Sequence, residues 1–411
     1  MMQYGLLGEK LTHSYSPLIH KELGDYRYEL FEVEHDQLAH FIKTHPFCGL
    51  NVTIPYKQIV REYCDQLSPA ARAIGSVNTI VRTTDGSLYG DNTDAAGFLK
   101  LLKIGNIEVK GKKVLVLGSG GSCLTVCHVL KEQGAMEIVI VSRKGENNYE
   151  NLAQHHDSQV IINTTPVGMY PNNGARPVSL QGFKTLEGVV DLIYNPDKTA
   201  LLLEACALEI PYIGGLAMLV AQAAVASELF TGKSVSTDEI DIIVNQIRKD
   251  TQNIILIGMP GSGKTTIGCS LASLTGRRLV DTDHEIESQV GKAIPDIFNE
   301  EGEIGFRKYE AAIIEKFGAH SGVIITTGGG CVTIPENYGS LRQNGVILFL
   351  ERDLGLLDRT DRPLSRGDLN QMYQQRRPLY EQFADKIVVN DQDVEKVAKK
   401  VLEAFYEIIN H

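Results

Sequence analysis

GMPGSGKTT, Gly258 to Thr266, decides how this chain is built. It fits G-x-x-x-x-G-K-[ST], a turn whose backbone N–H groups wrap phosphate oxygens between a strand and a helix. The apolar run NIILIG (253–258) leads into it, as that arrangement requires. Lys264 would bridge the outer phosphates and Thr265 would offer its hydroxyl to Mg²⁺. Gly261, Ser262, Gly263, Lys264, Thr265 and Thr266 are therefore candidate nucleotide ligands, and Thr265 is the candidate metal ligand. Such a loop follows the first strand of its own domain, and 145 residues remain after it, roughly one domain by the usual size. The long front part needs a separate explanation.

Bulk properties narrow the choice. A chain of 411 residues has room for two or three domains. Hydrophobic content of 43% and charged content of 22% are ordinary for a soluble globular protein. A net charge of −11 argues against nucleic acid or an anionic membrane as the main partner. No run approaches the length of a membrane span. The N-terminal MMQYGLLGEK lacks a basic region followed by an apolar core, which implies a cytoplasmic protein. The seven cysteines (48, 64, 123, 127, 206, 269 and 331) are scattered and read as small buried hydrophobes in a reducing compartment. Cys123 and Cys127 stand one helical turn apart, which would suit a metal only with further ligands nearby, so no structural metal is assigned. His155 and His156 lie in a polar stretch and read as solvated.

Strand-like and helical runs alternate along the chain. YGLLG, YELFEV, GLNVTI and SVNTIVR form one series of strands. KKVLVLG, EIVIVS, QVIINT and GVVDLI form a second, and NIILIG, GVIITT, GVILFL and KIVV a third. This alternation predicts α/β architecture with parallel sheets under helices, and the continuous apolar runs suit strands buried on both faces. The polar stretch IRKDTQN (247–253) is expected to separate the helix STDEIDIIVNQI from the strand feeding the phosphate loop, and a softer division falls near 100–111. The last helix repeats apolar residues at 394, 397, 401, 405 and 408, a face for packing on a sheet.

VLVLGSGGSC (114–123) places a second glycine turn between a strand and a helix. Gly118 and Gly120 would permit a tight turn and the approach of a pyrophosphate to the helix N-terminus, although Cys123 stands where a third glycine is usual. A strand–helix turn that merely needs small residues is the alternative. The next strand ends in Ser142, Arg143 and Lys144, where an NAD site would carry an acid for the ribose hydroxyls. Cations there suit a 2′-phosphate, so the expected cofactor is NADP.

Residues 1–247 resemble shikimate dehydrogenase. The resemblance rests on HSYSP (13–17), NVTIPYK (51–57), SVNT (76–79), GDNTDAAGF (90–98), GSGGS (118–122), NTTPVGM (163–169), DLIYNP (191–196) and GGLAMLVAQAA (214–224), in the family's order. It implies a substrate domain over 1–105, with the helices after about 214 packing back on it, and a Rossmann NADP-binding domain over 106–247. It implies Lys57 and Asp94 as the catalytic pair. Reducing a ring ketone by hydride needs a proton for the developing alkoxide, and a carboxylate can orient and tune a lysine for that task. It further places Ser14, Ser16, Thr53, Asn78, Asp94, Tyr194 and Gln222 around the substrate, mostly neutral donors and acceptors suited to a polyhydroxy ring acid. Taken singly, Ser16 before Pro17 could cap a helix and Gln222 could be surface. Gly118, Ser119, Gly120, Gly121, Ser122, Ser142, Arg143, Lys144, Leu192 and Gly215 would hold the dinucleotide. The family usually has Asn-Arg-Thr where Ser142-Arg143-Lys144 stands, and the segment from Lys144 to the NTTP motif has room for only a small helix.

Residues 252–411 resemble shikimate kinase, a P-loop NTPase-type α/β domain. The matching stretches are VDTDHEIE (280–287), GEIGFRKYE (302–310), TTGGGCV (326–332), RPL (362–364) and RRPLY (376–380). The resemblance implies Asp283 as proton acceptor and hydroxyl ligand, with Asp281 supporting the metal side. Arg307 and Arg376 would clamp the substrate carboxylate, Glu310 would orient Arg307, and Gly329 would let backbone approach the ring. Lys264 and the lid residue Arg362 would neutralise the phosphates. Phosphoryl transfer is mostly positioning and charge neutralisation, which this set supplies. The stretch between Arg359 and Arg362 is shorter than the family's.

The expected protein is thus a bifunctional enzyme using NADPH, ATP and Mg²⁺ on 3-dehydroshikimate and then shikimate. Two rivals stay open: a front half that uses NAD or quinate, and a half that is a non-catalytic ligand-binding regulatory module.

Overall fold

The computed structural model describes residues 3–11, 14–357 and 369–410. The chain divides into two compact units: Met1–Val167 with Arg176–Tyr194 and Glu204–Val244, and Gly168–Ala175 with Asn195–Leu203 and Asn245–His411. The division falls within the helix Thr237–Thr251. The stretch 247–253 holds the end of that helix, Gln252 and the first residue of a strand, so helix and strand are parted by one residue rather than by the whole polar run. Ile247 is buried there, and the Arg277 guanidinium donates to the carbonyls of Lys249 and Gln252. A helix end whose carbonyls find a fixed cation in this way has no reason to unwind into a linker.

The first unit carries two sheets. β1 (Tyr4–Gly8), β2 (Tyr28–Glu32), β3 (Gly49–Val52), β4 (Gln66–Leu67), β5 (Thr79–Arg82) and β6 (Leu88–Asp91) lie in the order β2-β1-β3-β5-β6-β4. This sheet is mixed, not parallel throughout as the alternation predicts, because β5 runs antiparallel to both β3 and β6. The reason is local. Thr83 to Ser87 close a hairpin in which Gly86 has φ +89° and Asp85 accepts from the Ser87 N–H. An Asp-Gly turn between apolar runs is a hairpin signal, and the antiparallel partner follows from it.

The second sheet is wholly parallel. β7 (Lys113–Leu117), β8 (Glu137–Val141), β9 (Val160–Asn163), β10 (Gly188–Asp191) and β11 (Tyr212–Ile213) are ordered β11-β10-β9-β7-β8. Strand order reverses between β7 and β9, and ligands of doubly wound sheets bind outside the carboxyl ends of strands at that point. The crossover from β8 to β9 carries a single 3₁₀ turn, Leu152–His155, in place of a full helix. His155 and His156 are half-buried rather than solvated: one ring bonds Asn147 and the other packs on Phe183.

In the second unit, β12 (Asn253–Ile257), β13 (Leu279–Asp281), β14 (Ile324–Thr326), β15 (Gly345–Glu351) and β16 (Lys386–Val389) form a parallel sheet ordered β13-β14-β12-β15-β16. Ile254, Ile255, Leu256 and Ile257 are all fully buried, each contributing about 2 kcal/mol of apolar burial. Helix Val394–Asn410 covers one face through Val397, Ala398, Val401, Ala404, Phe405 and Ile409. Of the expected stripe, Val394 is exposed and Ile408 only partly buried, since a 3.6-residue turn carries both ends off the sheet. Among the cysteines, Cys206 and Cys269 are exposed rather than buried, while Cys123, Cys127 and Cys331 are buried as expected. No helix among the described residues is long and apolar enough to cross a membrane.

Candidate active sites

In the first unit one cavity of about 230 Å³ gathers Ser14, Ser16, Thr53, Lys57, Asn78, Asp94, Tyr194 and Gln222, together with Ser122, Leu192 and Gly215. Residues spread over more than two hundred positions thus converge. Lys57 Nζ stands 2.7 Å from Asp94 Oδ2, and both side chains are partly exposed. The lysine backbone is pinned because its carbonyl accepts from the Val77 N–H at 2.7 Å. Asp94 sits in the first turn of helix Thr93–Ile104, where unpaired N–H groups favour a carboxylate. Asn78 Oδ1 accepts from the Thr93 N–H at 2.7 Å, which orients the amide and leaves its Nδ2 as donor to the cavity it lines.

Ser16 does not cap its helix. It is the first residue of Ser16–Leu23, and its N–H donates to Ser14 Oγ at 3.2 Å. Gln222 is not a surface residue either. Its Nε2 donates to the Leu219 carbonyl and its Oε1 accepts from Thr93 Oγ1 at 3.4 Å. Burial raises the pKa of the Tyr194 hydroxyl and keeps it a neutral donor.

Sequence reasoning missed Asn51, which lines the same cavity. Its Oδ1 accepts from the Tyr28 hydroxyl at 2.8 Å and its Nδ2 donates to Thr79 Oγ1 at 3.2 Å. The signal was present: Asn51 lies two residues before Thr53, and side chains two apart on an extended chain share a face.

The turn after β7 meets the steric needs of a dinucleotide. Gly118 has φ +107°, and a Cβ there would lie 2.7 Å from Thr164 Oγ1 on the turn after β9. Next to Gly120 and Gly121 a Cβ would meet nothing within 4 Å, so the helix N-terminus beside Ser119 is open to an anion. Cys123 takes the third glycine's place by packing inward against Cys127, sulfur to sulfur 3.8 Å. Arg143 and Lys144 are exposed at the end of β8, and the Ser142 N–H is tied to the Asn147 carbonyl. Ser119, Gly120, Gly121, Ser142, Arg143 and Lys144 are not part of the cavity wall. The donor set fits a dinucleotide with an additional phosphate.

The second unit builds its site at the carboxyl ends of β12, β13 and β14. Gly261 and Gly263 have φ +81° and +90°, which bends the loop Gly258–Thr266 around the start of helix Lys264–Thr275. Lys264 Nζ is buried and donates to the Gly258 and Met259 carbonyls, both at 2.9 Å, so the ammonium is held inside the loop. Buried Ser262 is fastened through its carbonyl to Asn390 Nδ2. Thr265 and Thr266 are exposed. Thr265 Oγ1 donates to Asp281 Oδ2 at 2.7 Å, which puts a hydroxyl and a carboxylate together as Mg²⁺ requires. Asp281 also accepts from Thr326 Oγ1, and its other oxygen accepts the N–H groups of Asp283 and His284, capping helix Thr282–Val290. The donors fit a magnesium–nucleoside triphosphate.

Beside the loop, Arg307 Nη1 lies 2.7 Å from Glu310 and Nη2 lies 2.9 Å from Glu303. Burial opposes the charge of Arg307, but Glu310 and Glu303 hold its pKa above the usual range. Burial raises the pKa of Glu310, with Arg307 opposing that shift. The run Gly328–Gly330 is glycine for steric reasons. A Cβ on Gly329 would stand 2.8 Å from the Pro260 backbone nitrogen, while one on Gly330 would meet the Arg307 guanidinium and one on Gly328 the carboxylates of Glu310 and Asp283. Arg376 Nη1 and the Tyr380 hydroxyl both donate to the Gly329 carbonyl. Asp283, Arg307, Glu310, Gly329 and Arg376 are thus brought together. Arg359 and Arg362 lie outside the described residues.

A glycine turn at the switch point of a doubly wound sheet, next to a lysine–carboxylate pair in a polar cavity, defines a dinucleotide-dependent oxidoreductase. The second unit is a phosphotransferase of the P-loop class. Comparison with known proteins is more specific. Residues 6–80 match the family model described as shikimate dehydrogenase substrate binding domain, and residues 260–406 match that described as shikimate kinase. The shikimate dehydrogenase (NADP(+)) of Clostridium perfringens is 38% identical over 262 residues, covering 58% of this chain and 96% of the relative. A chorismate mutase/shikimate 5-dehydrogenase fusion from Clostridium acetobutylicum superposes with TM-score 0.58 at 38% identity, covering 60% of this chain and 96% of that one. The Thermus thermophilus shikimate 5-dehydrogenase, solved with NADP(H) and shikimate, gives 0.55 at 31% identity, covering 60% and 99%. The chain belongs to the shikimate dehydrogenase family and carries a shikimate kinase domain behind it.

Proposed function

We infer that this is a bifunctional enzyme of the shikimate pathway. The front part reduces 3-dehydroshikimate to shikimate with NADPH, and the back part phosphorylates the shikimate 3-hydroxyl with MgATP. The observation that carries this reading is the pairing of the two families in one chain, since the product of one reaction is the acceptor of the other. We assign the substrate domain to 1–105, the dinucleotide domain to 106–247 and the kinase domain to 252–411. Small acids, rather than nucleic acid or a membrane, are its partners, and the cytoplasm is its compartment.

In the front site Lys57 gives a proton to the alkoxide oxygen as the ketone is reduced. The 2.7 Å contact with Asp94 keeps the ammonium aimed at that oxygen. Ser14, Ser16, Thr53, Asn78, Tyr194 and Gln222 hold the ring acid by neutral hydrogen bonds. Gly118, Ser119, Gly120, Gly121, Ser122, Ser142, Arg143, Lys144, Leu192 and Gly215 would hold NADPH, with Arg143 and Lys144 suited to its 2′-phosphate, and the bound cofactor would supply the hydride.

In the back site Asp283 accepts the proton of the attacking hydroxyl. Arg307 and Arg376 grip the substrate carboxylate with planar donors, and Glu310 fixes the plane of Arg307. Lys264 and Arg362 neutralise charge on the transferred group, and Thr265 and Asp281 would hold a Mg²⁺ ion that would add to that neutralisation.

The test uses the intact chain with 3-dehydroshikimate, NADPH and MgATP together. Wild type should yield shikimate 3-phosphate, and Asp283→Asn should accumulate shikimate at an undiminished reduction rate. A part that binds its ligands without turnover is the regulatory module instead.

A further inference from the structure

Arg307 has a second carboxylate partner that its assigned role does not require. Its Nη1 edge belongs to Glu310, which is fully buried and cannot leave without stranding a charge. Its Nη2 edge belongs to Glu303 at 2.9 Å, and the Glu303 side chain is half exposed. Gly302, immediately before it, has φ +69° and ψ −176° and breaks the helix Ile294–Gly318. Glu303 therefore opens the helical segment that carries Arg307 one turn on. The neighbouring Ile304 is also exposed. Among the described residues the Glu303 carboxylate stays open to water.

We propose that Glu303 sets substrate affinity at the kinase site: it occupies the Arg307 edge that a substrate carboxylate takes, and it moves outward when that substrate binds. The proposal rests on the reading of Arg307 as carboxylate ligand. Three carboxylates around one guanidinium would set like charges within a few ångströms, which disfavours all three ionised. The exposed one yields at least cost. Released, it gains water and the N-terminal N–H groups of its own segment, a favourable place for a negative charge. A neutral ligand has no means of displacing it. A ring acid that reaches both Arg307 and Arg376 does, so the contact selects for a carboxylate.

The experiment compares Glu303→Gln and Glu303→Ser with wild type in the full-length chain, using shikimate and MgATP. Both should lower KM for shikimate by about two- to fivefold, the range of a partly exposed ion pair, with kcat and KM for ATP unchanged. A shikimate KM that stays or rises in both variants overturns the proposal. Arg307→Lys separates the two failures. If it leaves the shikimate KM at the wild-type value, the reading of Arg307 falls and this proposal with it. If it raises KM while the Glu303 variants lower nothing, only the proposal falls.

Discussion

On the proposed assignment, the two sites take the same ring acid by different electrostatics. The front cavity offers hydroxyls, amides and one partly exposed ion pair, Lys57 with Asp94. The back site offers two guanidinium groups, one buried against a fully buried glutamate. The front substrate reacts at a ketone and needs a mobile proton, which favours a lysine that water can still reach. The back substrate must be held while a highly charged group is transferred beside it, which favours rigid, bidentate cations. A buried ion pair is weak as a source of stability, because desolvation offsets its attraction, but breaking it is costly. The back site gains orientation from that arrangement.

The largest way to break this comparison is Lys57→Ala. It should reduce kcat for reduction by about 10²- to 10⁴-fold, the usual scale of general acid catalysis, and leave NADPH binding and phosphorylation intact. Near-normal turnover would remove Lys57 from chemistry. The methyl ester of shikimate sharpens the contrast next. Losing a charge-assisted contact costs about 1.5–3 kcal/mol and losing a neutral one about 0.5–1.5. The ester should therefore lose about 10- to 100-fold in kcat/KM at the kinase and less than about tenfold in the reverse dehydrogenase assay. Equal losses would erase the distinction drawn here. Arg143→Ala should lower the preference for NADPH over NADH by about tenfold, one charge-assisted bond to phosphate, with kcat unchanged. An unaltered ratio would place the 2′-phosphate elsewhere.

A test of a different kind concerns pH and stability rather than turnover. His20 lies behind Ser16 on the same helix, stacked on Tyr28 at 3.9 Å, and burial pulls its pKa from 6.5 down to about 3. A neutral folded histidine stabilises the fold fully above pH 6.5. That contribution is lost as pH falls towards 3, by about 1.4 kcal/mol per unit within the window. His20→Gln should flatten the fall in Tm between pH 6 and 4. An unchanged slope would show that another group controls the acid limb.

Much of this was legible in the sequence because phosphate turns need glycines at set spacings and buried parallel strands need unbroken apolar runs. Lys57, Asp94, Lys264, Asp281 and Arg307 stand where their motifs put them. What escaped was long-range. Asn51 matters only once Tyr28 and Thr79 hold it, and the close approach at Gly329 comes from Pro260, about seventy residues earlier in the phosphate loop. Short edge pieces such as β4 and β11 carry two residues each, too few for any period to register. In the stretch 247–253 polarity did not show how far the helix runs, because it marks a solvated helix face as readily as a break between elements.

Asp281 carries a practical consequence. One carboxylate starts the helix bearing Asp283, braces Thr326 on the adjacent strand and holds the Thr265 hydroxyl. Any substitution there disturbs three functions together, so its phenotype would be uninterpretable as a measure of magnesium use. Thr265→Ser, which keeps the oxygen and drops only a methyl, is the cleaner instrument for anyone tuning metal preference in this enzyme.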